Sequence, residues 1–352
     1  MHYFKYATKD ATIYSGSKAY GSTTVDFKNT GLDEILELEK VTTPDYLNNS
    51  KSRILLHFDL TGDTLLTNSK KYYLVLNETE STELPLSDTI YAYPLTADWD
   101  MGIGKKFNEP YSTDGATWLH PSVSGSNWGT PGGVFKEDKE SSYSFEYETE
   151  DVRMDVTTIV TDWLNSSYTN YGFLVKRSDV IESGSTNYGC LKFFSRDTNT
   201  IYPPKLEVCW DDSTWDVGSS TMGTISDSSN FKIYMKNIKP EYKEDAVVRF
   251  RLNCRDKYQK PTAQVGTTSL FTNYYLPSGS CYYSIKDANT EETIIKFDEY
   301  SKISADSDSN YFDLHMNGLQ PERYYRILFK TEFTGSGAVD FSDEHHVFKV
   351  VR

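Results

Sequence analysis

The sequence predicts an all-β protein built as two sandwich modules. Three observations carry that expectation. Short runs of alternating apolar and polar residues recur along the chain, helical spacing is convincing at one place only, and the chain is rich in Tyr (27) and Phe (18), which suit half-buried pleated surfaces. At 352 residues it is long enough for two domains of ~150 residues, each with its own core.

Residues 53–60 read as a half-buried strand, with Ile54, Leu56, Phe58 and Leu60 on one face and Arg53, His57 and Asp59 on the other. Leu74 and Leu76, Leu191 and Phe193, and Leu206, Val208 and Trp210 repeat the alternation, each ahead of a polar turn. Val156, Ile159, Val160, Trp163 and Leu164 fall on one helical face behind Asp155 as N-cap, which predicts one short helix packed on the sheets. Asn170-Tyr171-Gly172 then turns the chain into a strand over 173–176.

Between Asp211 and Asn230, clusters of Asp, Gly and Ser leave little apolar material to bury. Residues 216–229 are therefore expected to link a first domain over 1–215 to a second over 230–352, with Trp215 folded back on the first. The second domain opens with Phe231, Ile233 and Met235 alternating against Lys232, Tyr234 and Lys236. Val248, Phe250, Leu252 and Cys254 then alternate with Val247, Arg249, Arg251 and Asn253, and further runs follow at 282–285, 293–297, 311–316, 324–330 and 346–351. Seven or so short strands in about 120 residues is the spacing of an immunoglobulin-like sandwich.

The formal net charge of -15 is spread along the chain. Association with phosphate backbones or anionic lipid needs a positive surface, so neither nucleic acid nor membrane is an expected partner. No run of 18 apolar residues occurs, and residues 1–6 do not open like a secretion signal. Cys190, Cys209, Cys254 and Cys281 show no CxxC spacing and read as reduced, small buried residues. A G-x-S-x-G elbow and an H-E-x-x-H helix are both missing. His345 and His346 would point to opposite faces of a strand, and Asp306-Ser307-Asp308-Ser309-Asn310 lacks the Gly and distal Glu of an EF-hand, so it reads as a polar turn. The expectation is a protein without catalytic residues, metal or cofactor.

Two contact candidates remain. Trp128, inside Ser126-Asn127-Trp128-Gly129-Thr130-Pro131-Gly132-Gly133, looks loop-borne and is a candidate for stacking on a glycan. Arg249 and Arg251 give one strand a cationic face, a candidate for docking to carboxylates of a neighbouring subunit.

Several short motifs in order resemble a known family. They are Asp10-Ala11-Thr12-Ile13-Tyr14, residues 52–60, Trp99, Ala116-Thr117-Trp118, the helix from Asp155 to Trp163, Phe194-Ser195-Arg196-Asp197 and Pro204-Lys205-Leu206-Glu207-Val208. From about Asp10 to Trp210 the chain is similar to the DNRLRE-type module, which implies an N-terminal jelly-roll sandwich like those of carbohydrate-binding domains. Asp197 stands where that family commonly has Glu, and Ala19-Tyr20-Gly21 where it has Asn-Tyr-Gly. The segments 282–287 and 318–325 resemble C-terminal modules of tailed-bacteriophage structural proteins. Together these resemblances imply a virion structural protein of the neck, tail or capsid surface, made in the host cytoplasm. It would contact other virion proteins, be homo-oligomeric in the particle and non-enzymatic, with a carbohydrate-binding or host-recognition module for cell-surface glycan as the alternative.

Overall fold

The computed structural model describes residues 1–352 apart from 17–18, 21–22, 43–48, 109–110, 113, 123–126, 147–150, 227–229, 259–271 and 334. Gly21 of the Ala19-Tyr20-Gly21 motif lies outside the described residues. The chain divides into two compact units, a larger one over Phe4–Val208 and a smaller one that joins Cys209–Arg352 to Met1–Tyr3. No helix among the described residues is long and apolar enough to cross a membrane.

The strands up to the unit boundary are β1 (His2–Tyr6), β2 (Lys9–Ser15), β3 (Ala19–Tyr20), β4 (Thr23–Thr24), β5 (Ile35–Thr42), β6 (Asn49–His57), β7 (Lys71–Leu76), β8 (Ser87–Pro94), β9 (Ser141–Glu146), β10 (Val152–Asp155), β11 (Phe173–Arg177), β12 (Gly189–Phe194) and β13 (Lys205–Cys209). One sheet runs β1-β13-β7-β10, and a seven-stranded sheet runs β12-β5-β6-β11-β8-β9 with β2 also paired to β6. Strands distant in sequence lie side by side, β6 with β11 and β7 with β13, the crossover pattern of a jelly-roll type of sandwich.

The predicted helix is present as α1 (Thr157–Leu164), but its N-cap is Val156, without a side-chain cap; Asp155, expected at that place, stands one residue earlier and accepts the Thr157 N–H at 2.9 Å. Val156, Ile159, Val160 and Trp163 of its stripe are buried, Leu164 only partly, and the Trp163 ring lies 4.6 Å from that of Phe173 on β11. A second helix that periodicity did not reveal, α2 (Asp179–Ser183), is too short to repeat a stripe and buries a single residue, Glu182. The turn into β11 needs glycine: Gly172 has φ +97°, and a Cβ there would stand 2.2 Å from the Leu56 carbonyl oxygen.

In the smaller unit the strands are β14 (Phe231–Lys236), β15 (Glu241–Lys243), β16 (Val247–Asp256), β17 (Asn273–Tyr274), β18 (Cys281–Asp287), β19 (Thr293–Ile295), β20 (Ser304–Ala305), β21 (Asn310–His315), β22 (Arg323–Phe333) and β23 (Ala338–Val351). One sheet runs β14-β16-β21-β20 with β17 on β16, and the other β15-β23-β22-β18-β19. That order is A-B-E-D facing A′-G-F-C-C′, the immunoglobulin-like arrangement. Between the sheets Tyr283 stacks on Phe312 (4.2 Å, 16°) and Phe312 on Phe250 (5.2 Å, 21°). The Tyr325 hydroxyl donates to the Gln320 carbonyl at 2.8 Å, a tyrosine corner at the entry to β22. This hydrogen bond explains the segment 318–325, whose tight turn must deliver a tyrosine to the corner.

Of the stretch expected to be a linker, 227–229 lie outside the described residues, and the part over 216–226 is hydrogen-bonded into the smaller unit instead. Asp216 N–H donates to Ala305 at 3.0 Å, Ile225 N–H donates to Tyr275 at 2.9 Å, and Ile225 is buried. Trp215, expected to belong to the first domain, is part of the smaller unit, its ring edge-on to Tyr275 at 6.0 Å. Two apolar anchors in a polar stretch were enough to fix it. None of the four cysteines is in a disulfide, and all four are buried.

Candidate functional site

Strand β6 was expected to bury one face, yet both are covered. Ile54 and Leu56 face the space between the sheets, while Arg53 and Leu55 point to the outer side, and all four are at least nine-tenths buried. The cover is the connection after β8: Trp99, Trp118 and Trp128 lie on Ala11, Ile13, Leu55 and Leu174 as a second core. Trp128 is therefore no platform for a glycan. Its ring is 4% exposed and its Nε1–H donates to the Thr117 carbonyl at 2.9 Å. The Gly-rich run beside it serves the packing, because Gly132 has φ +92° and a Cβ there would stand 2.7 Å from the Trp118 ring.

Next to the tryptophans the same outer face becomes ionic. Arg53 donates to both oxygens of Glu182, Nε at 3.0 Å and Nη2 at 2.6 Å, and through Nη1 to the Gly132 carbonyl at 2.8 Å. Its guanidinium lies 5.0 Å from the Trp118 ring centroid. Lys51 and Lys176 approach Glu182 at 3.8 and 3.7 Å. Three cations thus converge on one carboxylate, held down on the sheet by α2. Burial holds the Lys51 ammonium below its ordinary pKa, helped by Arg53 and Lys176 and opposed by the Glu182 carboxylate.

Beyond α2 the face opens. A groove of about 360 Å³ runs between α2 and the paired strands β8 and β9, with Tyr91, Tyr188, Ser87, Thr89, Ser144 and Glu146 among its lining residues. Asp88 at its base is fully committed: Oδ2 accepts from Arg177 Nε at 2.7 Å and Oδ1 from the Thr89 N–H at 2.8 Å. Thr89 and Ser144 are hydrogen-bonded across the two strands at 2.8 Å.

In the smaller unit the structure does bring Arg249 and Arg251 to one face of β16. Each is already paired within the chain. Arg249 grips Asp313 with two hydrogen bonds (2.8 and 2.9 Å), and Arg251 grips Asp306 with two (3.0 and 2.8 Å) and Ser309 with a third (2.9 Å). Tyr311 lies under both, 4.0 Å from Arg249 and 5.7 Å from Arg251. The Arg251 hydrogen bonds, with help from the Asp308 and Ser309 N–H groups, hold the Asp306 carboxyl down at about 2. That carboxylate caps its own turn. The expected docking cations are thus neutralised in place, with Asp306, Tyr311 and Arg249 among the residues lining a groove of about 500 Å³.

The sequence matches no protein-family model and no curated protein. What the chain does must therefore be argued from its own geometry. Burial, the main cause in each case, pushes the thiols of Cys190, Cys254 and Cys281 up to about 12, so they carry no thiolate near neutral pH. His57 shares a hydrogen bond of 2.8 Å with the Thr8 hydroxyl in an exposed setting. Burial lowers its pKa, and the described residues place no carboxylate in hydrogen-bond contact with its ring. Glu182, Tyr188 and the β8–β9 hydroxyls carried no sequence signal, since each stands in a polar run indistinguishable from solvated loop.

Proposed function

We propose that the chain is a non-enzymatic structural protein acting through protein contacts, a component of a bacteriophage virion at the neck, tail or capsid surface. The observation that supports a contact role is the outward face of β22 and β23. There Phe341, Val339, Tyr324 and Val347 are 64, 50, 48 and 38% exposed. The pairings Lys330↔Phe341, Glu332↔Val339 and Arg326↔Val347 set these apolar groups among charges on one surface. Rows of exposed apolar groups with a polar surround are the composition of protein interfaces. The virion setting rests on the sequence resemblances alone, and the saturated Arg249 and Arg251 pairs move the expected contact away from β16.

Mass spectrometry of purified particles tests the reading. A fixed stoichiometric presence of the chain, lost for Phe341→Asp while the free variant melts like the parent, is the expected result. Absence from particles, or turnover of a polysaccharide by the purified chain, would overturn it.

A further inference from the structure

We propose that His2, Glu207 and Cys209 form a zinc site. Among the described residues, these are the one group of His, Cys and carboxylate side chains whose ligand atoms could hold a metal ion, all lying within 4.8 Å of one another. The proposal goes beyond the contact role above and uses none of its residues. The three stand on β1 and β13, neighbouring strands of one sheet, and Glu207 and Cys209, two positions apart on β13, share a face of it.

The donor set selects the ion. A thiolate, an imidazole and a carboxylate are the donors that zinc takes, whereas calcium and magnesium are held by oxygen. Two donors on a tetrahedral zinc, at about 2.3 Å for sulfur and about 2.0–2.1 Å for nitrogen, stand about 3.5 Å apart. Cys209 Sγ and His2 Nδ1 are 3.4 Å apart, so the pair already has the separation that a shared ion would impose. Glu207 is the third donor, and three protein ligands leave the fourth position to a water or a main-chain carbonyl.

The groups around these ligands orient them as the supports of a metal site do. His2 Nε2 lies 3.2 Å from Asp298 Oδ1. A carboxylate only accepts, so the ring proton of neutral His2 is on Nε2, and the Nδ1 lone pair faces Cys209, where the ion would sit. Tyr300 meets the same ring edge-on (6.2 Å, 80°), and Arg153 Nε donates to Glu207 Oε2 at 2.6 Å, which fixes that carboxylate. His2, Glu207 and Cys209 are 1, 6 and 0% exposed, so the ion enters as the chain folds and, once in, leaves slowly. Binding forms the Zn–S bond and passes the Cys209 thiol proton to solvent, with no change of oxidation state. His2 and Cys209 are 207 positions apart, a separation that no local ligand motif could reveal.

The test is to produce the full chain without a tag in metal-depleted medium supplemented with zinc, with cobalt or with neither, pass it over a chelating resin and measure bound metal by inductively coupled plasma mass spectrometry. About one zinc per chain is expected to remain, with a higher melting temperature than that of the zinc-free protein. The cobalt form should show thiolate-to-cobalt charge-transfer absorption, kept by Cys190→Ser, Cys254→Ser and Cys281→Ser and lost in Cys209→Ser. If Cys209→Ser does not fold, the other three variants still identify the thiolate by elimination. Asp298→Ala, which leaves all three ligands in place, should weaken zinc binding about tenfold or more. No zinc retained by the parent chain, zinc retained equally by Cys209→Ser, or a charge-transfer band lost with another cysteine overturns the proposal.

Discussion

Glu182 is the residue whose removal should cost the larger unit most for its size. It is 3% exposed, accepts two hydrogen bonds from Arg53, and stands within 4 Å of Lys51 and Lys176. Alanine leaves Arg53 buried against Trp118 with only the Gly132 carbonyl as a polar partner, and it removes the only buried side chain of α2. Breaking a buried pair from one side costs about 3–5 kcal/mol because the other charge is stranded. At roughly 2–4 °C per kcal/mol for a unit of this size, Glu182→Ala should lower the melting transition by about 6–20 °C. The double change Arg53→Met with Glu182→Leu should lose less than either single change, since Arg53 is no longer stranded, Lys176 keeps Asp179, Lys51 is partly exposed and the site borders an apolar core. Differential scanning calorimetry on the parent, Arg53→Met, Glu182→Leu and the double variant completes the cycle, with Glu182→Ala measured beside it. A Glu182→Ala shift under ~2 °C, or a double variant at least as unstable as the two singles summed, would refute the account of α2 as an electrostatically anchored cover.

Three further outcomes are expected. Burial, with a smaller push from Asp197, raises the Asp10 carboxyl to about 7, so folding favours its protonated form. Its contribution should fall as pH rises from ~4 through ~7, by up to about 4 kcal/mol, and Asp10→Asn should flatten urea-unfolding stability across that range; an unchanged slope would acquit Asp10. Trp163→Ala removes the ring packed on Phe173 and should cost about 3–5 kcal/mol, read as a shift in denaturation midpoint, and a shift too small to resolve would contradict the packing. A fragment over 230–352 should be less stable than one over 209–352 by at least ~2 kcal/mol, because it lacks the buried Ile225 and the Trp215 ring on Tyr275, and equal midpoints would mean that the segment adds nothing.

Period-two alternation located β14, β16, β18, β21 and β22, because a sandwich with one solvated face per sheet imposes that pattern and the turns between its strands are short. Alternation failed on β6. Leu55 and Arg53 are buried like Ile54, since a covering segment from elsewhere in the chain makes the outer side a second interior. The pattern of a strand reports its neighbours only when one of them is water. The same covering segment explains why Trp128 read as exposed: Gly, Ser and Pro around it are loop residues, and loops are usually solvated, but this one lies on a sheet. Trp215 and Ile225 went the other way, two anchors too sparse to register against a background of Ser, Asp and Gly.

The charges show most sharply where sequence reasoning stops. Arg53 and Glu182 are 129 positions apart, Arg177 and Asp88 are 89, and Arg249 and Asp313 are 64. Each cation, taken with its sequence neighbours, reads as a free positive group on a strand face. Only the strand order reveals that a carboxylate has been delivered opposite it by crossover connections. Arg249 and Arg251 could be named as a pair from their i, i+2 spacing, which is local, but whether they face a partner or their own chain is set by β21 and the loop before it, which is not. Formal charge therefore overstates what this surface offers. The cations already matched in cis are weak candidates for binding, because a partner's carboxylate would have to displace one the chain already supplies.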